Sequence, residues 1–146
     1  MTSKLLVDRN GLRTFVLVFD KEDDVQRRLI EFAQANAIAA ASLSAIGAFS
    51  TVTLGYFDRR TKDYRKIPLA EQVEVLAFLG NIARADDQPK VHAHVVVGKA
   101  DGTAYGGHFL DGRVWPTLEM VVAETPAYLR RVHDRDTGLA LLDLTR

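Results

Sequence analysis

A chain of 146 residues that is 47% apolar and 26% charged is long enough to bury a core, and it fits one domain spanning residues 1–146. Lys and Arg together number 19, as do Asp and Glu, so no net positive field draws the chain to a phosphate backbone or an anionic membrane, and a nucleic-acid role has to come from a local patch or a partner. The absence of cysteine excludes disulfides and thiolate ligands and fits a reducing cytoplasm; no apolar run approaches a bilayer span, and the first residues lack a signal-peptide core.

In chain order, the β-branched and aromatic run Arg13–Phe19 predicts a strand. Asp20 to Asp24 then supply caps and first-turn carboxylates for a helix, in which Val25, Leu29, Phe32 and Ala33 recur on one face while Gln26, Arg27, Arg28, Glu31 and Gln34 lie largely on others. From residue 40 onward the pattern predicts strands over 40–48, 51–58, 64–69, 73–83, 91–99, 103–110 and 113–124. The gaps carry turn chemistry: polar loops at 58–63 and 86–89, and tight turns at Asp101-Gly102 and Asp111-Gly112. Short, turn-linked strands pair antiparallel, and one early helix covering one face makes the class α+β rather than alternating βαβ. The tail, Ala127 to His133 and Gly138 to Leu144, adds a short edge segment and an apolar clasp.

Three of the four histidines fall between Val91 and His108. His92 and His94 alternate on an apolar strand pattern, so they share a face about 7 Å apart, a reach one metal ion bridges. A lone histidine there is an ordinary half-buried residue, whereas three clustered imidazoles need partners that a cation supplies. His108 follows on the next strand, but a strict two-residue loop at Asp101-Gly102 sets it opposite Val95 and on the wrong face. A metal site of His92, His94 and His108 therefore requires a three-residue loop, or a bulge at Gly106-Gly107, that sets His108 opposite Val96 or nearby.

For an enzymatic reading a general acid or base is needed. Glu119 is the first candidate and Glu74 the second, each a carboxylate amid apolar strand residues; the plainer reading is a solvent-facing residue or a partner of Arg13 or Arg113. The small basic clusters at Arg59-Arg60 and Arg130-Arg131 stand beside Asp58, Asp63, Asp134 and Asp136 and read as solvated. Trp115 reads as packing rather than ligand stacking, and His133, isolated in a charged tail, stays outside the site.

Together, the glycine-centred run Ser44 to Asp58, the stretch Val73 to Ile82 with its Glu-Val-Leu and Gly-Asn, and Val91-His92-Ala93-His94-Val95 with Gly106-Gly107-His108 resemble the plant and prokaryote conserved (PPC) domain family, over nearly the whole chain. The resemblance implies a mainly antiparallel α+β domain that assembles as a homotrimer and binds a metal through the three histidines. Plant relatives add an AT-hook and contact transcription factors; this chain has no such hook and no basic arm. Two functions compete. The leading one is a metal-binding trimeric module that serves a protein partner, a regulator among them, or a small polar ligand. The other is a metal-dependent enzyme acting on a small polar metabolite, with zinc as the first choice of ion for a nitrogen-rich, cysteine-free site. Direct duplex DNA binding ranks behind both.

Overall fold

The computed structural model describes residues 1–125 and 129–145; Ala127 and Tyr128 of the expected tail segment lie outside the described residues. The elements are β1 (Thr2–Arg9), β2 (Leu12–Phe19), α1 (Val25–Ala35), β3 (Ala41–Asp58), β4 (Asp63–Leu69), β5 (Val73–Ala85), β6 (Gln88–Gly98), β7 (Ala104–Glu124), β8 (Arg130–His133) and β9 (Ala140–Asp143). This is the expected α+β class: among the described residues the chain is strand-rich with one short helix, and its pairing is antiparallel except where β8 runs parallel to β5 at Arg84 and Arg130. Among the described residues no helix is long and apolar enough to cross a membrane.

Local chemistry sets the elements. Asp24 caps α1 by accepting the Arg27 N–H, but the first turn holds no acidic residue, so the expected first-turn carboxylates reduce to this cap. Asp23, one position earlier, instead turns inward and accepts the Arg28 side chain at 2.8 Å. Val25, Leu29 and Phe32 bury the helix stripe on the sheet, where Phe32 meets Phe15 of β2 edge to face at 5.2 Å. Burying each such side chain contributes roughly 1.5–3 kcal/mol. Asp86 and Asp87 both adopt positive φ and close the β5–β6 hairpin in two residues, so β6 begins at Gln88, within the stretch expected to be a loop.

Two expectations are corrected by the sheet. The N-terminal residues, which carry no strand assignment above, form β1, joined to β2 by an Asn10-Gly11 turn with φ of 54° and 78°. Strands 40–48 and 51–58 are one long β3, and 103–110 and 113–124 are one long β7; the chain bends at register shifts instead of reversing. Asp111-Gly112 is thus no turn: both residues pair with β3, opposite Thr53 and Val52. Phe49 and Phe109 stack 5.9 Å apart at the bend, and a side chain on Gly112 would meet the Phe109 ring at 2.9 Å, so the glycine serves aromatic packing.

The long bent strands let the sheet return on itself, since β3 pairs with both β5 and β7 while β6 pairs with both β5 and β7. The core lies inside this circuit and under α1, built from Leu17, Phe19, Leu29, Phe49, Leu54, Phe78, Ile82, Val95, Leu118 and Met120 among others. Along β6, Val91, Ala93, Val95 and Val97 point inward, so His92, His94 and Val96 take the outer face.

Candidate metal centre

The β6–β7 connection decides where His108 points. The Lys99 N–H donates to the Thr103 carbonyl at 2.8 Å and the Gly102 N–H to the Lys99 carbonyl at 2.9 Å, which closes a three-residue loop of Ala100, Asp101 and Gly102. Gly102 takes φ +82°, a conformation that costs an L side chain, and the Asp101 carboxylate pins the exit by accepting from both the amide and the hydroxyl of Thr103. The odd loop moves the register by one, as a shared histidine face requires. His108 pairs directly with His94, and Val96 pairs with Gly106, so the shift runs the other way from an opposition to Val96; Gly106 and Gly107 pair regularly, without a bulge.

His92, His94 and His108 consequently converge. Their ring centroids form a near-equilateral triangle of 5.1, 5.4 and 5.4 Å, and one nitrogen from each lies within 4.8 Å of the others. Ligands at 2.0–2.1 Å around a tetrahedral ion stand roughly 3.4 Å apart, within reach of small ring rotations. His94 is exposed, while His92 and His108 are half-buried. Burial, helped by the neighbouring imidazoles and the Arg131 guanidinium, pushes His108 down to about 4; burial and Arg131 likewise lower His92. Both rings are thus neutral at physiological pH, the form that ligates a metal. The Nδ1 atom of His108 is buried and makes no hydrogen bond among the described residues, and Tyr64 of β4 stacks on the same ring at 4.5 Å. Three imidazoles within reach of one another, two of them held neutral by burial and one with an orphaned nitrogen, fit a divalent ion.

Glu119 and Glu74 are not brought to this cluster. Glu119 stands in the C-terminal half of β7, opposite Val18 and Ile46, on an exposed apolar stretch; Glu74 is exposed on β5, opposite Ala48 and Gly98. Neither takes Arg13 or Arg113 as a partner. Arg13 forks onto Glu124 at 2.7 Å and also donates to the Asn36 carbonyl at the helix end, whereas Arg113 faces Asp24 at 3.5 Å. Trp115 is covered by the Lys21 ammonium at 4.5 Å, and His133 is exposed on β8.

The residue that sequence reasoning missed is Arg131. The sequence assigns it to a solvated pair, yet the β8–β9 hairpin at the sheet edge carries it against the histidines, where it is half-buried. Its Nη2 donates to Asn81 Oδ1 at 2.7 Å and reaches His92 Nδ1 at 3.1 Å, and its Nη1 donates to the Ala140 carbonyl at 2.9 Å. Arginine has no acceptor, so His92 Nδ1 accepts and the His92 ring proton sits on Nε2. Only the period-two placement of Arg131 in a short strand hinted at this, and that signal does not say which surface the strand meets.

A bent, self-returning antiparallel sheet with one helix covering its inner face and three imidazoles on its outer face defines a class of small α+β proteins with a histidine-rich outer site. The family model described as the Plants and Prokaryotes Conserved (PCC) domain matches residues 7–126, and the chain belongs to that family. Among the solved structures it is similar to over its length are the following two. One is a candidate DNA-binding protein from Bacteroides thetaiotaomicron (27% identity, TM-score 0.90, 99% of each chain covered). The other is a metal-containing protein from Archaeoglobus fulgidus (35% identity, TM-score 0.83, 97% of this chain and 98% of that one). A curated relative, the bifunctional protein GlmU of Synechococcus sp. (strain JA-3-3Ab), is 33% identical over 139 residues, 93% of this chain and 21% of its own length; the chain spans about a fifth of the curated relatives it matches.

Proposed function

We propose that this chain is a metal-binding homotrimeric module: His92, His94 and His108 hold one divalent ion, zinc first, and the assembly serves a protein partner or receives a small polar ligand at the metal. The observation that carries the reading is the meeting of three imidazole nitrogens within 4.8 Å, two of the rings held neutral by burial. The description of the Archaeoglobus relative as metal-containing supports it. For the trimer, support comes from the family resemblance and from an outer face that a lone chain leaves bare: Ile46 and Leu79 are each 62% exposed and line, with Val16, Leu76 and Val121, a groove of about 380 Å³.

The metal-dependent enzyme takes second place. A cavity beside the histidines favours a small ligand, but among its described lining residues there is no carboxylate to act as a base, with Glu119 and Glu74 elsewhere. A DNA-related role, in line with the description of the Bacteroides relative, runs through a partner in this reading, because the chain has no net charge. Elemental analysis of the purified, untagged protein with light scattering tests the proposal. About one ion per chain and a mass three times the 16.2 kDa chain are expected; a metal-free protein, after reconstitution, refutes the site, and a monomer at micromolar concentration refutes the assembly.

A further inference from the structure

Beside the histidines lies a cavity of about 140 Å³ lined by Tyr64, His92, His108, Lys90, Arg131 and the β9 segment around Leu141. It is far smaller than the roughly 300–1,000 Å³ of drug-sized ligand sites, which limits an occupant to a few non-hydrogen atoms. Its charge is one-sided, since Lys90 and Arg131 line it and no Asp or Glu does among the described residues. Arg131 is held half-buried by Asn81, Ala140 and His92, while its Nε is buried with no hydrogen-bond partner among the described residues.

Metal binding changes what Arg131 faces. A cation on His92 takes either the Nδ1 lone pair, displacing Arg131, or the Nε2 lone pair after the ring proton moves to Nδ1; in both cases Nδ1 no longer accepts from the guanidinium. Arg131 then keeps Asn81 and the Ala140 carbonyl but has lost one acceptor at Nη2, and Nε already lacks one. These two nitrogens share one edge of the planar guanidinium, a fork that matches the two oxygens of a carboxylate. A divalent ion and a guanidinium close together in a half-buried site, with no acidic side chain between them, leave a positive charge that an anion has to balance. We propose that the metal-loaded site binds a small carboxylate, held beside the ion by Arg131 once the guanidinium has left His92 and turned its Nε and Nη2 edge, buried in the metal-free chain, toward the cavity. The inference rests on the metal reading above and names the class of its ligand.

The test uses the full chain loaded with Co²⁺, whose visible spectrum reports changes around the metal, titrated with acetate and separately with inorganic phosphate, with heats measured by calorimetry. Wild type is compared with Arg131→Gln, Arg131→Lys and, as a surface control, Arg130→Gln, each checked for its melting temperature and cobalt content. Acetate is expected to bind the cobalt-loaded wild type and Arg130→Gln equally, and Arg131→Gln at least tenfold more weakly with cobalt content kept. Arg131→Lys, which keeps the charge and loses the fork, is expected in between, and it carries the test if the glutamine variant does not fold. The cobalt-free protein, with Arg131 tied to His92, is expected to bind acetate at least tenfold more weakly. Acetate binding that is absent, or unchanged in both Arg131 variants, overturns the proposal, and phosphate binding tighter than acetate overturns the assignment to carboxylates. A wild type that takes up no cobalt overturns the metal reading itself, a result distinct from these.

Discussion

Around the β6–β7 hairpin the outer face of the sheet carries three imidazoles and a guanidinium, whereas across β3, β5 and the C-terminal half of β7 the same face carries Ile46, Leu76, Leu79 and Val121. The border is sharp, because Leu79 of β5 pairs directly with His94 of β6. Both regions come from the same alternation of strand residues, but they are unsatisfied in different ways. In the proposed reading, the buried His108 nitrogen without a hydrogen-bond partner and its neighbouring imidazoles are completed by an ion, and the uncovered aliphatic side chains by another protein surface. Two incomplete regions side by side allow metal loading and assembly to be altered one at a time.

The largest effect is expected at the histidines. Replacing His92, His94 or His108 with Ala should drop bound metal from near one per chain to well below half in elemental analysis, with the mass in solution unchanged. Full retention in all three variants removes the site; loss of assembly together with metal merges the two regions into one. The converse substitution, Leu79→Glu combined with Ile46→Glu, places charge in the apolar region and should shift light scattering from three chains toward one while metal content holds. A persistent trimer would move the interface elsewhere.

A contact away from both regions serves as the control. Arg13 ties β2 to β7 through Glu124, whose side chain is 9% exposed, and to the end of α1 through the Asn36 carbonyl. Hydrogen bonds from Arg13, working against burial, hold the Glu124 carboxyl below its ordinary value of 4.5. A carboxylate whose folded-state value is depressed stabilises the fold above its unfolded value and loses that contribution as pH falls through the folded one. Glu124→Gln should therefore cost about 2 kcal/mol in denaturant unfolding at pH 7, a gap that narrows as the pH is lowered below the carboxylate range, and it should leave metal content and mass unchanged. The smallest expected effect is on DNA. Neither region supplies a row of cations, so a salt titration on labelled duplex should find affinity no better than about 10⁻⁴ M at physiological salt. Sub-micromolar binding with a steep salt dependence would show that one of the regions is a nucleic-acid surface after all.

Much of this was legible in the chain. The α1 stripe of Val25, Leu29 and Phe32 and the period-two pattern of β6 are local, so the sequence determined the helix, the strand class and the common face of His92 and His94. It also stated the condition for His108 to join them, an odd loop or a bulge, without choosing between them. What only the tertiary structure decided depends on contacts between residues far apart in the chain. Pairing with Thr53 and Val52 of β3 makes Asp111-Gly112 part of β7 instead of a turn, the three-residue loop sets His108 against His94, the length of β7 carries Glu119 away from the histidines, and the β8–β9 hairpin brings Arg131 to His92. Periodicity fixes which way a side chain points along its own strand, but register and bend are set by partners that local sequence does not name.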